Sequence, residues 1–164
     1  MSMRSTIVRQ FGEPSGLLGR LVGFVMKVRP SNRRRSMLTL ELLDIRPDDH
    51  VFEIGFGPGL AIARAAQLAS RGKVVGLDHS ELMLAQAKRR NAAAIRAGRV
   101  ELHLGGAEQL SRFSKQFNKV FAVNVFMFWD DPVAVLRALS ETMKPGATIA
   151  ITLQPRSKGA TQRP

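Results

Sequence analysis

The stretch that decides the fold is Val51-Phe52-Glu53-Ile54-Gly55-Phe56-Gly57-Pro58-Gly59. Its apolar beginning and its alternating glycines predict a short buried strand, a glycine turn and then a helix. A second apolar segment, Val74-Val75-Gly76-Leu77-Asp78, ends in a carboxylate. Two strands of an open α/β sheet hold an adenosine-containing cofactor in this way, because glycines let the backbone approach the ligand and the second acid binds ribose hydroxyls.

The glycine spacing argues against two other phosphate-binding sites. A dinucleotide fingerprint, G-x-G-x-x-G, requires a third glycine where this chain has Leu60. The sequence also lacks the G-x-x-x-x-G-K-[ST] loop that cradles nucleoside phosphates. Glu53 lies just before the first glycine and suits a ligand with an ammonium group better than one with a pyrophosphate, since opposite charges attract.

The pattern E-x-G-x-G-x-G with a downstream acid resembles the first two motifs of class I S-adenosylmethionine-dependent methyltransferases. The resemblance runs from about Leu40 to Leu153 and includes the ubiquinone/menaquinone-type and related small-molecule enzymes. It implies S-adenosylmethionine as the cofactor and methyl transfer as the reaction. The fold that it implies is α/β, a Rossmann-like doubly wound and mostly parallel sheet with N-terminal helices.

Alternating apolar and helical segments predict five strands joined by helices. Because parallel strands need helical crossovers, this order favours a parallel sheet. Strands are expected at residues 50–55, 74–78, 99–104, 119–124 and 147–153, and helices at 59–70, 80–97, about 107–113 and 132–143.

Two helices are expected ahead of the sheet. The apolar spacing predicts a first helix over residues 15–29, which Pro30 ends. The run Arg33-Arg34-Arg35 then lies in a polar turn, and a second helix begins at Met37.

Charge divides the chain into three parts. The net charge is +12, and the excess lies at the two ends, whereas residues 36–143 are close to neutral. We expect a basic N-terminal helical segment at residues 1–36, an S-adenosylmethionine-binding Rossmann-like domain at 37–153 and a basic tail at 154–164. The resemblance implies that the N-terminal segment is a lid over the acceptor pocket. Basic ends attract nucleic acid or an anionic membrane surface, although they also serve solubility.

Composition bounds the location and the chemistry. The absence of cysteine excludes disulfides and cysteine nucleophiles, and three histidines without ligand spacing predict no metal site. The apolar run at 17–28 contains Arg20 and Lys27 and is too short to span a bilayer, and no cleavable signal is evident. We expect a cytoplasmic protein, with a peripheral membrane position as the alternative.

The C-terminal end departs from the family pattern. Methyltransferases of this class usually continue with a helix and two further strands, whereas residues 154–164 lack a strand pattern. We therefore expect the final strands to be missing, either because the protein is short at this end or because the sequence is a piece of a longer chain. The open edge of the fifth strand would then be covered, charged or paired with a second copy in a homodimer.

The resemblance assigns cofactor roles to the first two motifs. Glu53 would orient the amino group of the methionine part, the alternative being that it satisfies loop amides. Gly55, Phe56, Gly57 and Gly59 would bring the backbone close to the methionine and ribose parts. Asp78 would accept hydrogen bonds from both ribose hydroxyls, which a carboxylate does well, or would cap the following helix.

The adenine is assigned to residues after the second and third strands. His79 and Met83 would flank the ring. The segment Gly106-Ala107-Glu108 resembles the family's G-D-A motif, but Gly106 stands where an aspartate binds the adenine amino group. Either the backbone at Ala107 and a neighbouring group recognise adenine, or binding is weaker by about 1.5–3 kcal/mol.

Asn124 ends the fourth strand, where sulfonium and acceptor should meet. The apolar segment 125–129 that follows packs against a helix or lines an acceptor pocket. Asp130 and Asp131 are explained as helix caps. No catalytic residue is assigned, because methyl transfer from a sulfonium chiefly requires alignment and the exclusion of water.

Several acceptor classes are disfavoured. Asn124 is not followed by the Pro-Pro-aromatic run of base N-methylation, no double-glutamate loop is visible, and the covalent route to methylated pyrimidines needs a cysteine. A small-molecule, apolar or lipid-like acceptor remains. The alternative is a nucleic-acid-associated binding module or a nucleic-acid methyltransferase that uses the basic termini.

Overall fold

The computed structural model describes residues 30–153, so the predicted helix over 15–29 and the tail from 154 lie outside the described residues. The helices are α1 (Pro30–Leu43), α2 (Leu60–Leu68), α3 (Glu81–Arg90), α4 (Ala92–Arg96) and α5 (Pro132–Thr142). The strands are β1 (His50–Ile54), β2 (Lys73–Asp78), β3 (Val100–Leu104), β4 (Phe117–Val123) and β5 (Met143–Thr152). Two 3₁₀ helices span Ala107–Phe113 and Phe126–Phe128.

The five strands form one parallel sheet in the order β3-β2-β1-β4-β5. Strand β1 lies at its centre, and Val51 and Phe52 have no exposed surface. A central parallel strand is covered on both faces, which explains why it reads as an almost continuous apolar run. The predicted doubly wound α/β fold is confirmed.

Helical elements cover both faces of the sheet. Helices α1, α2 and α3 cover one face, where the core includes Leu40, Val51, Ile62, Val74 and Phe121. The 3₁₀ helix Ala107–Phe113 and α5 cover the other, where the core includes Phe52, Leu77, Leu110, Val120 and Leu139. The chain winds from β1 to β2 and β3, and then returns to β4 on the other side of β1. Ligands of such sheets bind at this reversal, outside the carboxyl ends of the strands.

Helix α1 begins at the proline that was predicted to end the helix over residues 15–29. Pro30 is its first residue, so the run Arg33-Arg34-Arg35 is helical and the predicted polar turn is wrong. Proline suits the first turn of a helix, because an amide there has no intrahelical acceptor. The helix is also attached to the sheet, because the side-chain hydroxyls of Thr39 and Thr152 lie 2.7 Å apart and join α1 to β5.

The predicted helix over 80–97 is interrupted at Asn91, which separates α3 from α4. The buried side chain of Asn91 donates to the carbonyl oxygens of Ala87, at 2.9 Å, and of Gly59, at 3.2 Å. Asparagine competes for backbone groups in this way and so breaks helices. Strand β5 also starts earlier than predicted, at Met143, with an irregular register opposite Phe117–Lys119.

Within residues 30–153, strand β5 pairs with β4 alone, and the predicted pairing with a second copy stays a prediction. None of the helices in that range is long and apolar enough to cross a membrane.

Candidate cofactor-binding site

A cavity of about 780 Å³ opens at the carboxyl ends of the strands. The structure brings together nearly all of the predicted site residues there: Glu53, Gly55, Phe56, Gly57, Asp78, His79, Met83, Gly106, Ala107, Glu108 and Asn124 all line it. Gly59 is the predicted residue that lies outside this lining. The cavity also reaches Phe128, Trp129 and Val135, which lie beyond Asn124 in the sequence.

Asp78 holds the glycine turn against the end of β2. Its Oδ2 accepts a hydrogen bond from the amide of Gly57 at 2.7 Å, and its Oδ1 accepts one from the amide of Ser80 at 2.9 Å. Burial raises the pKa of the Asp78 carboxyl, whereas the hydrogen bonds from these two amides lower it. Each carboxylate oxygen accepts more than one hydrogen bond, so Asp78 can take ribose hydroxyls while it keeps both amides.

Glu53 presents an unpaired carboxyl oxygen beside the same turn. The residue is 2% exposed, and its Oε2 has no hydrogen-bond partner within the described part of the chain. Burial and then the nearby Asp78 raise the pKa of Glu53 well above its usual range, while the Ile62 amide lowers it. A buried carboxyl oxygen without a partner is costly, and an ammonium group would satisfy it. The methionine part of S-adenosylmethionine carries such a group.

The two later glycines of the turn have different roles. A side chain on Gly57 would meet nothing within 4 Å, so its backbone is open to a ligand. Gly59 precedes α2 at φ +74°, and a Cβ there would lie 2.8 Å from the Cβ of Ala87 in α3. The structure therefore gives Gly59 a packing role between two helices, and the predicted cofactor contact at Gly59 has no support from the cavity lining.

The other end of the cavity lies between α3 and the segment after β3. Met83 is buried there and His79 is exposed, in keeping with an apolar slot for a ring. The amide of Gly105 donates to the Asp78 carbonyl oxygen at 2.9 Å and holds this segment beside the ribose position. The side chain of Glu108 folds back, and its Oε1 accepts from the amide of Gly106 at 3.1 Å.

Two polar lining residues that α1 contributes were missed by the sequence analysis. Asn32 and Ser36 reach the cavity from the first turns of α1. The side-chain amide of Asn124 donates to Asn32 Oδ1 at 3.2 Å, and Asn124 has a left-handed backbone with φ +57°. The overlooked signal is Pro30, because a proline at the first helical position would have placed Asn32 inside a helix.

We expect Glu53 to make stability depend on pH. A folded pKa above the ordinary value of about 4.5 means that the native state keeps a proton that the unfolded chain releases. Its stabilising contribution is therefore full below about pH 4.5 and is lost as pH rises through the folded pKa. Urea unfolding from about pH 5 to 8 should show a smaller loss of stability for Glu53→Gln than for the wild type. The exposed control Glu41→Gln should keep the wild-type slope, and an unchanged slope in Glu53→Gln would contradict this account.

The fold and the site define a Rossmann-like protein that binds an adenosyl cofactor. Residues 51–146 match the model of the methyltransferase domain family. The chain is 30% identical over 141 residues to the uncharacterized methyltransferase YdaC of Bacillus subtilis (strain 168), covering 86% of this chain and 75% of that protein. It is 37% identical over 107 residues to the demethylmenaquinone methyltransferase of Symbiobacterium thermophilum, covering 62% of this chain and 41% of that protein.

The fold is also similar to that of a solved methyltransferase. A SAM dependent methyltransferase from Aquifex aeolicus superposes with a TM-score of 0.68 at 17% identity, over 97% of this chain and 77% of that one. The chain belongs to the methyltransferase domain family. Its cofactor is S-adenosylmethionine, as the motifs predicted, and the unpaired Glu53 oxygen and the open Gly57 backbone fit that molecule. The chain spans about two fifths of the Symbiobacterium enzyme, so the acceptor is a matter for proposal.

Proposed function

We propose that this protein transfers a methyl group from S-adenosylmethionine to a small apolar or lipid-like acceptor. The observation that carries the proposal is the extent of the cavity. Beyond Glu53 and Asp78 it continues to a wall formed by the half-buried side chains of Phe128, Trp129 and Val135. Such a wall suits an apolar molecule, because binding removes apolar surface of both partners from water.

The charges around the cavity support a small molecule over a nucleic acid. Among the described residues, those that line the cavity include no lysine or arginine, although the chain as a whole carries +12. Apart from His79, the ionisable side chains that line the cavity are carboxyls: Glu53, Asp78, Glu108, Asp130 and Asp131. Nucleic acids are bound mainly through cationic contacts to phosphates, and ionised carboxylates in this lining would repel a phosphate group.

Bound S-adenosylmethionine would supply an electrophilic methyl group on its sulfonium. The chain's own residues would hold the ligand by its ends, with Glu53 for the ammonium group and Asp78 for the ribose, and would exclude water. Asp131 is engaged as a helix cap, because its Oδ1 accepts from the amides of Val133 and Ala134, both at 3.0 Å. We assign no general base, since an acceptor that is already nucleophilic does not need one.

The relatives support the acceptor class. Several curated relatives are named demethylmenaquinone methyltransferases, and the named acceptor is a lipid quinone. Helix α1 supports the proposed N-terminal lid, because it brings Asn32 and Ser36 to the cavity. A peripheral membrane position would give such a lid access to lipid-like acceptors, and we include it in the proposal.

A label-transfer screen tests the proposed function. The full chain is incubated with methyl-labelled S-adenosylmethionine and one acceptor class at a time. The three classes are a demethylated quinol in detergent micelles, water-soluble small amines, and RNA or DNA oligonucleotides. We expect S-adenosylhomocysteine to bind in calorimetry and label to appear in the quinol. Phe128→Ala should lower kcat/KM for that acceptor about tenfold and leave the S-adenosylhomocysteine affinity unchanged, because Phe128 belongs to the apolar wall that we propose for the acceptor. Label in the oligonucleotides, or an unchanged kcat/KM, would overturn the acceptor assignment.

A further inference from the structure

The Glu108 carboxylate lies beside Gly106, in the space that a side chain at position 106 would occupy. If a Cβ is built on Gly106, the atom that it meets first is Oε2 of Glu108. The position of this carboxylate is held by the second oxygen, Oε1, which accepts a hydrogen bond from the Gly106 amide at 3.1 Å. The carboxylate therefore fills the space into which a side chain at 106 would extend.

The absence of a side chain at 106 is what gives Glu108 this position. Gly106 has φ −101° and ψ −171°, an extended conformation that any residue adopts. The backbone therefore does not require glycine here, and the three atoms nearest to a Cβ at this position all belong to the Glu108 carboxylate. Position 106 and the Glu108 conformation are coupled.

The neighbourhood of Glu108 indicates what it would bind. Residues 105–108 follow β3, and Leu104 pairs with Asp78 in the sheet register. The base of a nucleoside whose ribose is held by Asp78 must lie next to that residue, and Met83 and Ala107 offer it apolar surface. An exocyclic amine on that base needs an acceptor. The two carboxylates at this end of the cavity are Asp78 and Glu108. Asp78 already accepts hydrogen bonds from the amides of Gly57 and Ser80, so Glu108 is the remaining candidate.

We infer that the Glu108 carboxylate is the group that reads the 6-amino group of the adenine ring, in place of a side chain at position 106. This inference rests on the proposed function, because it requires the adenosyl cofactor in the cavity. It makes Glu108 the residue that selects adenine over other purines, through a charge-assisted hydrogen bond.

The test compares two ligands by calorimetry on the full chain: S-adenosylhomocysteine and its analogue in which hydrogen replaces the 6-amino group. The wild type should prefer S-adenosylhomocysteine by about 10- to 100-fold, the range of one hydrogen bond to a charged group. Glu108→Ala should reduce this preference to less than about threefold and leave the affinity for the deamino analogue unchanged. The exposed control Glu141→Ala, outside the cavity, should keep the wild-type preference.

The coupling between the two positions gives a second, independent test. Gly106→Ala should displace the carboxylate and lower the preference as Glu108→Ala does, whereas the same change in a Glu108→Ala background should have no further effect. Gly106→Asp combined with Glu108→Ala should restore the preference, since it returns a carboxylate to the same space. A wild-type preference in Glu108→Ala would overturn the inference and leave cofactor binding intact. A wild-type chain that bound neither ligand would overturn the proposed function, and the inference with it.

Discussion

Asp78→Ala is expected to weaken S-adenosylhomocysteine binding by about 10- to 1,000-fold, because it removes a charged acceptor for two ribose hydroxyls. The loss has a second source. The amides of Gly57 and Ser80 lose their acceptor, so the turn that carries the open Gly57 backbone is no longer held to β2. Unpaired amides at this buried position should also lower the free energy of unfolding, by about 1–3 kcal/mol.

Calorimetry and urea unfolding together separate these two effects. Asp78→Asn keeps one acceptor oxygen without the charge, so its affinity should fall between those of the wild type and Asp78→Ala. Asp48→Ala is the matched control: its carboxylate pairs with Arg71 on the surface, outside the cavity, and S-adenosylhomocysteine affinity should not change. An affinity of Asp78→Ala within twofold of the wild type would show that Asp78 does not bind the ribose.

Gly59→Ala is expected to destabilise the fold by about 2–5 kcal/mol, the sum of left-handed strain and overpacking. The residue has φ +74°, and its new methyl group would lie 2.8 Å from Ala87 Cβ and 3.0 Å from the Ala87 Cα. The second contact is with backbone, so relief requires α2 to move away from α3. Urea unfolding measures the change.

Two other glycines isolate the contributions. Gly98 has φ +70°, and a Cβ there meets nothing within 4 Å, so Gly98→Ala should show the strain alone, about 1–2 kcal/mol. Gly57→Ala should lose about as much stability as Gly98→Ala. It should lose more S-adenosylhomocysteine affinity than Gly98→Ala, because its methyl group extends into open space at the cavity. If Gly59→Ala were no less stable than Gly98→Ala, the proposed contact between α2 and α3 would not be important for the fold.

The parallel sheet and the main site residues could be predicted from the sequence, because both depend on local patterns. Buried strands are continuous apolar runs, and the carboxyl ends of neighbouring parallel strands meet at one edge, so Glu53 and Asp78 had to lie close together. The side chains confirm this arrangement, and the cavity beside them is open. The methyltransferase family was identified from the same few residues.

The parts that the sequence did not predict depend on contacts between distant segments. Pro30 is compatible with both the end and the start of a helix, and only the packing of α1 on β5 decides between them. Asn91 breaks a long helix because its side chain reaches Gly59, which is far away in sequence. The close approach of the Asn91 and Ala87 side chains to Gly59 explains why Gly59 serves packing, which a glycine count in one turn could not reveal.

The attachment of α1 has a practical consequence for protein engineering. Its Asn32 is bonded to Asn124 and its Thr39 to Thr152, so this helix is fastened to the tips of the last two strands. A shortened version that starts at the end of the arginine run would cut through the helix and remove Asn32, with its bond to Asn124, from the cavity. Anyone who trims this enzyme for crystallisation or fusion should therefore place the boundary ahead of Pro30.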